Sequence, residues 1–309
     1  MAPEPHAARR ALAQAISAVE RGGPAADELI ARALATLRER AVAGAPRASV
    51  IGITGAPGAG KSSLAAALAD EARAAGERVA ILAVDPSSSV TGGALLGDRV
   101  RIDERPDDDG RYVRSLATRG SGRALARAAA AASLLLEAAG FDLVLLETVG
   151  AGQADLGIAR LADAVLLVEG PEGGDEVQAM KAGLLEAADL VVVNKGDRPG
   201  ADAALERLRA GLALGAQPIP VLLASATERR GIAELLAALR PIAAARGGGG
   251  RVRRVAAHLV ATAEGALAAR LADAERSGAL DDLARQISDG AAPLAGAAEA
   301  LLGDRNTGR

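Results

Sequence analysis

The sequence predicts an α/β fold: a mostly parallel β-sheet with helices on both faces, flanked by helical extensions at the N- and C-terminal ends. Three observations predict it. Short apolar runs alternate with helical patterns from Ser49 to about residue 240. The runs are continuous rather than alternating, as strands buried on both faces require. In residues 8–43, before this region, apolar residues recur at three- and four-residue spacing, the helical period.

Taken in order, residues 8–43 predict a helical hairpin. Leu12, Ile16 and Val19, then Leu29, Ile30, Leu34 and Leu37, mark its apolar stripes, and Gly22-Gly23-Pro24 separates the two helices. The predicted strands are Val50 to Thr54, Val79 to Val84, Leu143 to Glu147, Ala164 to Val168, Leu190 to Val193 and Ile219 to Leu223. Helices are expected at 61–75, 122–139, 175–187, 201–213 and 231–240. The run Gly247 to Gly250 reads as a flexible linker. The helical remainder is expected to bury Leu259, Leu267, Leu271, Leu280, Leu283 and Ile287. It serves either as a dimerisation or docking element or as packing on its own sheet. Three segments follow: a helical hairpin over 1–45, the sheet domain over 46–245 and a C-terminal helical segment over 246–309.

Composition excludes several function classes. The chain has 36 Lys and Arg against 39 Asp and Glu, so a net charge of −3 supplies no basic field for nucleic acid. With no Cys, disulfides, thiolate metal sites and a Cys nucleophile are excluded. With only His6 and His258, so is a multi-histidine metal site. The N-terminal residues are not expected to form a signal peptide. The stretch Ala124 to Gly140, read as the most apolar, is interrupted by Arg127 and Glu137. It falls short of the roughly 20 apolar residues of a membrane span. A cytoplasmic protein with neither nucleic-acid nor membrane partners is expected. Tyr112 and Phe141 are the only aromatics, so the core must be built from Ala, Leu, Val and Ile.

Gly55-Ala56-Pro57-Gly58-Ala59-Gly60-Lys61-Ser62 fits G-x-x-x-x-G-K-[ST], between a predicted strand and a predicted helix. Its glycines let the backbone aim successive N–H groups at an anion, and the helix N-terminus adds partial positive charge. Lys61 is expected at the β- and γ-phosphates and Ser62 on Mg²⁺. Downstream, Asn194-Lys195-Gly196-Asp197 ends a strand as N-K-x-D. The Asp197 carboxylate can accept from both guanine N1–H and the 2-amino group, which adenine lacks. Asn194 would orient that loop and the Lys195 stem would cover the base. Ser225-Ala226-Thr227 follows the next strand, where backbone N–H groups could meet the guanine oxygen.

Asp85 and Glu147 close predicted strands, and Asp98 lies in a glycine-rich stretch without periodicity. Each is a candidate for the metal neighbourhood, directly or through water. Gly150 can bring its N–H to the γ-phosphate, and Gln153 follows three residues on. The polar loop Gly170 to Gln178 could respond to nucleotide state or equally be a plain turn.

Together these motifs resemble the MeaB/ArgK-type P-loop GTPases, also called methylmalonyl-CoA mutase-associated GTPases. The resemblance is carried by G-A-P-G-A-G-K-S-S at 55–63, ending in Ser63, V-D-P-S-S at 84–88 and T-G-G-A-L-L-G-D-R at 91–99. L-E-T-V-G-A-G-Q at 146–153, G-G-D-E-V-Q at 173–178 and N-K-G-D at 194–197 complete it. Ser89 and Gly196 depart from the family's usual Pro and Ala. The resemblance implies a P-loop NTPase fold of the SIMIBI type and a homodimer joined through its terminal helices. It also implies a GTP-hydrolysing chaperone that gates cofactor loading of an adenosylcobalamin-dependent acyl-CoA mutase and protects the loaded enzyme. By motif position, Lys61 and Ser62 carry over as phosphate and Mg²⁺ residues. Asp85, Asp98 and Glu147 carry over as the metal and switch neighbourhood, and Asp197 as the guanine reader. The 170–181 loop would contact the mutase. Slow hydrolysis by in-line attack of water is expected, with no arginine finger assigned; Arg99 and Arg119 are the candidates. The competing readings are a metal-insertion GTPase, an ATP-dependent kinase and a non-catalytic nucleotide-dependent module.

Overall fold

A computed structural model describes residues 5–84, 108–116, 122–148, 157, 160–172, 184–213, 219–246 and 248–302. Two helices, α1 (Pro5–Arg21) and α2 (Pro24–Val42), precede β1 (Ser49–Gly55), α3 (Lys61–Ala74) and β2 (Val79–Val84). Next come β3 (Arg111–Leu116), α4 (Gly122–Ala138), β4 (Leu143–Thr148), β5 (Ala164–Glu169) and β6 (Leu190–Val193). The series continues with α5 (Ala201–Ala213), β7 (Val221–Leu223) and α6 (Ile232–Ala245). It ends with α7 (Gly249–Arg276), α8 (Ala279–Ser288) and α9 (Leu294–Leu302).

Among the described residues the strands form one seven-stranded sheet in the order β3-β2-β4-β1-β5-β6-β7, and every pair is parallel. Although both faces of β1 are buried, its residues still alternate between them. Ile51 and Ile53 join Leu64 and Leu68 of α3 and Leu235 and Leu239 of α6 in one core. Val50, Leu82 and Val144 face the other way, toward Ile16 of α1, Ile30 of α2 and Leu134 of α4. The N-terminal hairpin therefore covers a face of the sheet with α4. On the far side of β5, Leu167, Val191 and Val193 pack on Ala204 and Leu205 of α5.

The structure adds β3, which the apolar runs did not reveal. It is an edge strand, and it places one arginine toward each face. Arg111 pairs with Asp70 of α3, and Arg114 Nη2 donates to Glu20 Oε2 of α1 at 2.7 Å. Those charges break the apolar run that identifies interior strands. The last strand begins at Val221 rather than Ile219. Helix α6 runs on through Pro241 to Ala245, where the sequence predicted an end at 240. Proline removes one backbone donor there without ending the helix. The predicted helix 175–187 lies outside the described residues up to 183.

The glycine run is not a free linker, because α7 starts inside it at Gly249. Gly250 is buried so tightly that a Cβ there would sit 1.7 Å from Asp163 Oδ1. The first turns of α7 are fixed by polar contacts rather than by leucines. Arg254 is fully buried; its Nη2 donates to Glu137 Oε1 at 2.6 Å and its Nη1 to the Leu161 carbonyl at 2.7 Å. Arg251 Nη2 donates to Glu137 Oε2 at 2.9 Å, and His258 Nε2 lies 3.1 Å from Asp27 Oδ1.

Residues 1–258 form one compact unit and 259–309 a second. In the second, Leu259, Leu271 and Leu280 are exposed, and Leu267, Leu283 and Ile287 are half-buried, so none reaches the burial expected of it. Helix α7, rather than the 124–140 stretch, is the one described helix long and apolar enough to cross a membrane, by length and composition alone.

Removing Glu137 would leave Arg254 buried without its closest carboxylate. Glu137→Ala should lower the unfolding free energy by about 3–5 kcal/mol in urea titrations. An unchanged midpoint would contradict the anchoring role.

Candidate functional site

In an all-parallel sheet the C-terminal ends of all strands share one edge, and ligands of open α/β sheets bind there. At this edge β1 ends in Gly55, β4 in Thr148, β5 in Glu169 and β6 in Val193. The turn from β1 to α3 holds Gly55 at φ 144°, Gly58 at 78° and Gly60 at 90°. Neither Gly55 nor Gly60 has room for a side chain. A Cβ on Gly55 would lie 2.0 Å from the Val168 carbonyl oxygen, and one on Gly60 would lie 2.4 Å from Asn194 Nδ2. Gly60 is also the N-cap of α3, with no side-chain cap and no acidic residue in the first turn. The helix therefore presents bare N–H groups and an uncompensated positive end, an arrangement suited to an anion.

Lys61 is buried against this turn, its Nζ donating to the Gly55 carbonyl at 2.8 Å and the Ala56 carbonyl at 3.1 Å. Ser62 Oγ donates to Glu147 Oε1, which brings together two sequence candidates 85 positions apart. Glu147 is almost wholly buried at the end of β4. A hydroxyl and a carboxylate form an all-oxygen pair, the donor chemistry Mg²⁺ prefers. Among the described residues no group of three or more His, Cys, Asp or Glu could hold a metal.

Asn194 joins this turn to the second loop. Its Nδ2 donates to the Ala59 carbonyl at 2.9 Å, while its Oδ1 accepts from Ala226 N–H at 3.2 Å. Lys195 follows at φ 59°, a left-handed conformation uncommon for a side chain this long. Gly196 N–H donates to the Ala224 carbonyl at 2.8 Å. Ser225 Oγ donates to Asp197 Oδ1 at 2.5 Å and lies 3.1 Å from Thr227 Oγ1. That hydroxyl bond, followed by a backbone N–H, holds the exposed Asp197 carboxyl below the usual carboxylate range. The carboxylate therefore faces solvent charged and oriented, ready to accept from a pair of donors.

The structure thus assembles Gly55 to Ser62, Glu147, Asn194, Lys195, Asp197 and Ser225 to Thr227 at one edge. Asp85, Asp98, Gly150 and Gln153 lie outside the described residues, as do Arg99, Arg119 and most of the 170–181 loop. Three contributors escaped the sequence reading. Thr148 Oγ1 reaches the Ile53 carbonyl at 3.4 Å, and Glu169 is a buried acid closing β5. Arg230 Nη2 donates to the Gly196 carbonyl at 2.8 Å and braces the N-K-x-D loop. Their positions one residue past an apolar run were the available signal for the first two. Arg230 had none, since only the bridge between Ser225 and Arg230 turns it back on the loop.

Comparison with known proteins agrees with this geometry. The family model for methylmalonyl Co-A mutase-associated GTPase MeaB matches residues 12–276. A putative GTPase of Pyrococcus abyssi is 45% identical over 235 residues, 74% of this chain and 70% of that one. The Escherichia coli GTPase ArgK is 39% identical over 215 residues, 66% of this chain and 64% of that one. A mouse protein named methylmalonic aciduria type A homolog, mitochondrial, is 40% identical over 61% of this chain and 47% of its own. A crystal structure of a LAO/AO transport system kinase shares the fold with TM-score 0.57 at 24% identity, covering 98% of each chain.

Two outcomes follow from the loop geometry. Gly60→Ala should weaken guanine-nucleotide binding at least about tenfold while circular dichroism stays native, because both φ and the Asn194 contact forbid the methyl. For Asp197 the folded pKa is depressed, so its charge persists above that value and is lost only as pH falls through it. Preference for GDP over ADP, measured by calorimetry, should stay flat from pH 8 to about 5. In Ser225→Ala, which removes the main cause of the depression, the decline should begin at a higher pH.

Proposed function

The chain belongs to the MeaB family of methylmalonyl Co-A mutase-associated GTPases, and on that premise we propose that it is a nucleotide-timed chaperone of an adenosylcobalamin-dependent acyl-CoA mutase. GTP occupies the strand-end edge, with the triphosphate in the Gly55 to Ser63 turn and the guanine on Asp197. The observation that carries this reading is the Asn194 bridge, which ties the anion turn and the base loop into one rigid pocket.

Each residue has a chemical task. Backbone N–H groups of Gly58 to Ser62 take the phosphate oxygens. Lys61 exchanges its two carbonyl acceptors for the β- and γ-oxygens and neutralises charge as it develops. Asp197 accepts two guanine donors, and Lys195 and the Ser225 to Thr227 turn frame the ring. Mg²⁺ would be held by Ser62 and by Glu147, with Asp85 and Asp98 as further carboxylates, and would act as a Lewis acid on the phosphates. Water attacks the γ-phosphorus in line, the bond to the β-phosphate oxygen breaks, and GDP and phosphate leave. Gln153 positions that water, and the Gly150 N–H meets the γ-phosphate.

Hydrolysis separates two states with different affinity for the mutase, a coupling of about 1–3 kcal/mol for linkage of this kind. The 170–181 loop contacts the mutase and gates cofactor loading. The chain acts as a cytoplasmic homodimer. Leu259, Val260 and Leu271 on α7 are exposed, and the dimer covers them.

Lys61→Ala should abolish GTP hydrolysis and weaken nucleotide binding, and full turnover in that variant would refute the anion turn. Asp197→Asn should lose the preference for GTP over ATP; unchanged selectivity would refute the base reader. The chaperone role is tested by capture of an acyl-CoA mutase from the native host with a GTP analogue and with GDP. Equal capture in both states would sink the timer.

A further inference from the structure

Tyr112 and Phe141, the chain's only aromatic residues, wall a single cavity of about 340 Å³. The cavity lies at the sheet edge opposite the nucleotide site. Arg78 immediately precedes β2, Tyr112 is the second residue of β3, and Phe141 sits just before β4. These strands are neighbours in the order β3-β2-β4, so the parallel topology brings their starts side by side. Helix α1 closes the cavity with Ala8, Arg9 and Leu12.

Two features set the chemistry of its walls. The rings stand 6.0 Å apart at 58°, and each carries a guanidinium, Arg78 at 4.5 Å from the Phe141 centroid and Arg9 at 5.8 Å from that of Tyr112. Arg9 Nη1 donates to the Arg111 carbonyl at 3.3 Å, and Arg78 Nη1 to the Ala139 carbonyl at 2.6 Å. A guanidinium has five donors, and neither arginine forms an ion pair with a described residue. Tyr112 is 5% exposed and its hydroxyl bonds no described residue. Burial raises its pKa, so it stays a neutral donor at physiological pH. Asp109 also lines the cavity. Aromatic walls favour a flat ring, and guanidinium groups with spare donors favour a carboxylate or phosphate. The volume falls at the lower end of small-ligand pockets.

We propose that this cavity is a second binding site, distinct from the nucleotide site, for a small anion bearing a planar ring. The ring packs on Tyr112 and Phe141, and the anionic group is taken by Arg9 and Arg78. Two sources share that chemistry, a nucleoside monophosphate and an aryl carboxylate.

The test uses the full chain saturated with GDP and Mg²⁺, so that the strand-end site is already filled. AMP, benzoate and inorganic phosphate are titrated separately by ligand-observed NMR. At least one ring-bearing anion should bind with Kd of about 1 mM or tighter, and phosphate alone at least about tenfold more weakly. Binding of AMP alone assigns the site to nucleoside phosphates, binding of benzoate alone to aryl acids, and both outcomes support the proposal. Arg9→Gln and Arg78→Gln lie on the cavity rim and leave the core intact. Each should weaken the ring-bearing anion about tenfold while GDP affinity stays unchanged. The proposal is overturned if neither AMP nor benzoate binds at about 10 mM. It is equally overturned if binding is unaffected by both variants, or if added GDP competes it away.

Discussion

A phosphate can be gripped by backbone amides only where no side chain stands between them, and that steric constraint governs the surroundings of the β1–α3 turn. Gly55 sits beside the Val168 carbonyl and Gly60 beside the Asn194 amide, each closer than any Cβ allows. Strand β5 must therefore pair with β1 in the register that sets Val168 opposite Gly55. Strand β6 must end where Asn194 can reach the turn. The apolar cores on both faces fix those strands, so hydrophobic packing and the anion turn depend on each other.

Charge is distributed to match. The start of α3 carries no acid, Lys61 rests on carbonyl oxygens, and the Glu147 carboxylate is engaged by Ser62. At the opposite edge, Asp163 Oδ2 accepts from Val50 N–H at 3.0 Å and its Oδ1 lies 3.5 Å from Arg254 Nη1. Strand β1 is thus held at its start by the polar anchor of α7 and at its end by the nucleotide turn. Buried ion pairs of this kind add little net stability but are costly to break singly, and so they specify where α7 begins.

Much of the fold was legible because its signals are local. Interior parallel strands are continuous apolar runs, and β2 and β6 were located to the residue. The G-x-x-x-x-G-K-S turn was legible because its chemistry needs small residues at fixed spacing. Strand β3 was not, since an edge strand can carry Arg111 and Arg114 and so loses the run. The glycine run before α7 misled because a glycine required by close packing and one tolerated in a linker look alike in sequence. Gly250 differs only through Asp163, which lies far away in the chain.

By itself, the sequence determined the strand and helix alternation, the phosphate turn, the candidate base loop and the exclusion of cysteine and multi-histidine chemistry. Each of these is a property of residue type at short spacing. Only the tertiary structure decided that Asn194 bridges the two loops, that Ser62 meets Glu147, that Arg254 is buried on Glu137 and that the two aromatic rings share one cavity. Those contacts join residues separated by tens to hundreds of positions, and strand order, which no local pattern encodes, brings them within hydrogen-bonding or stacking distance.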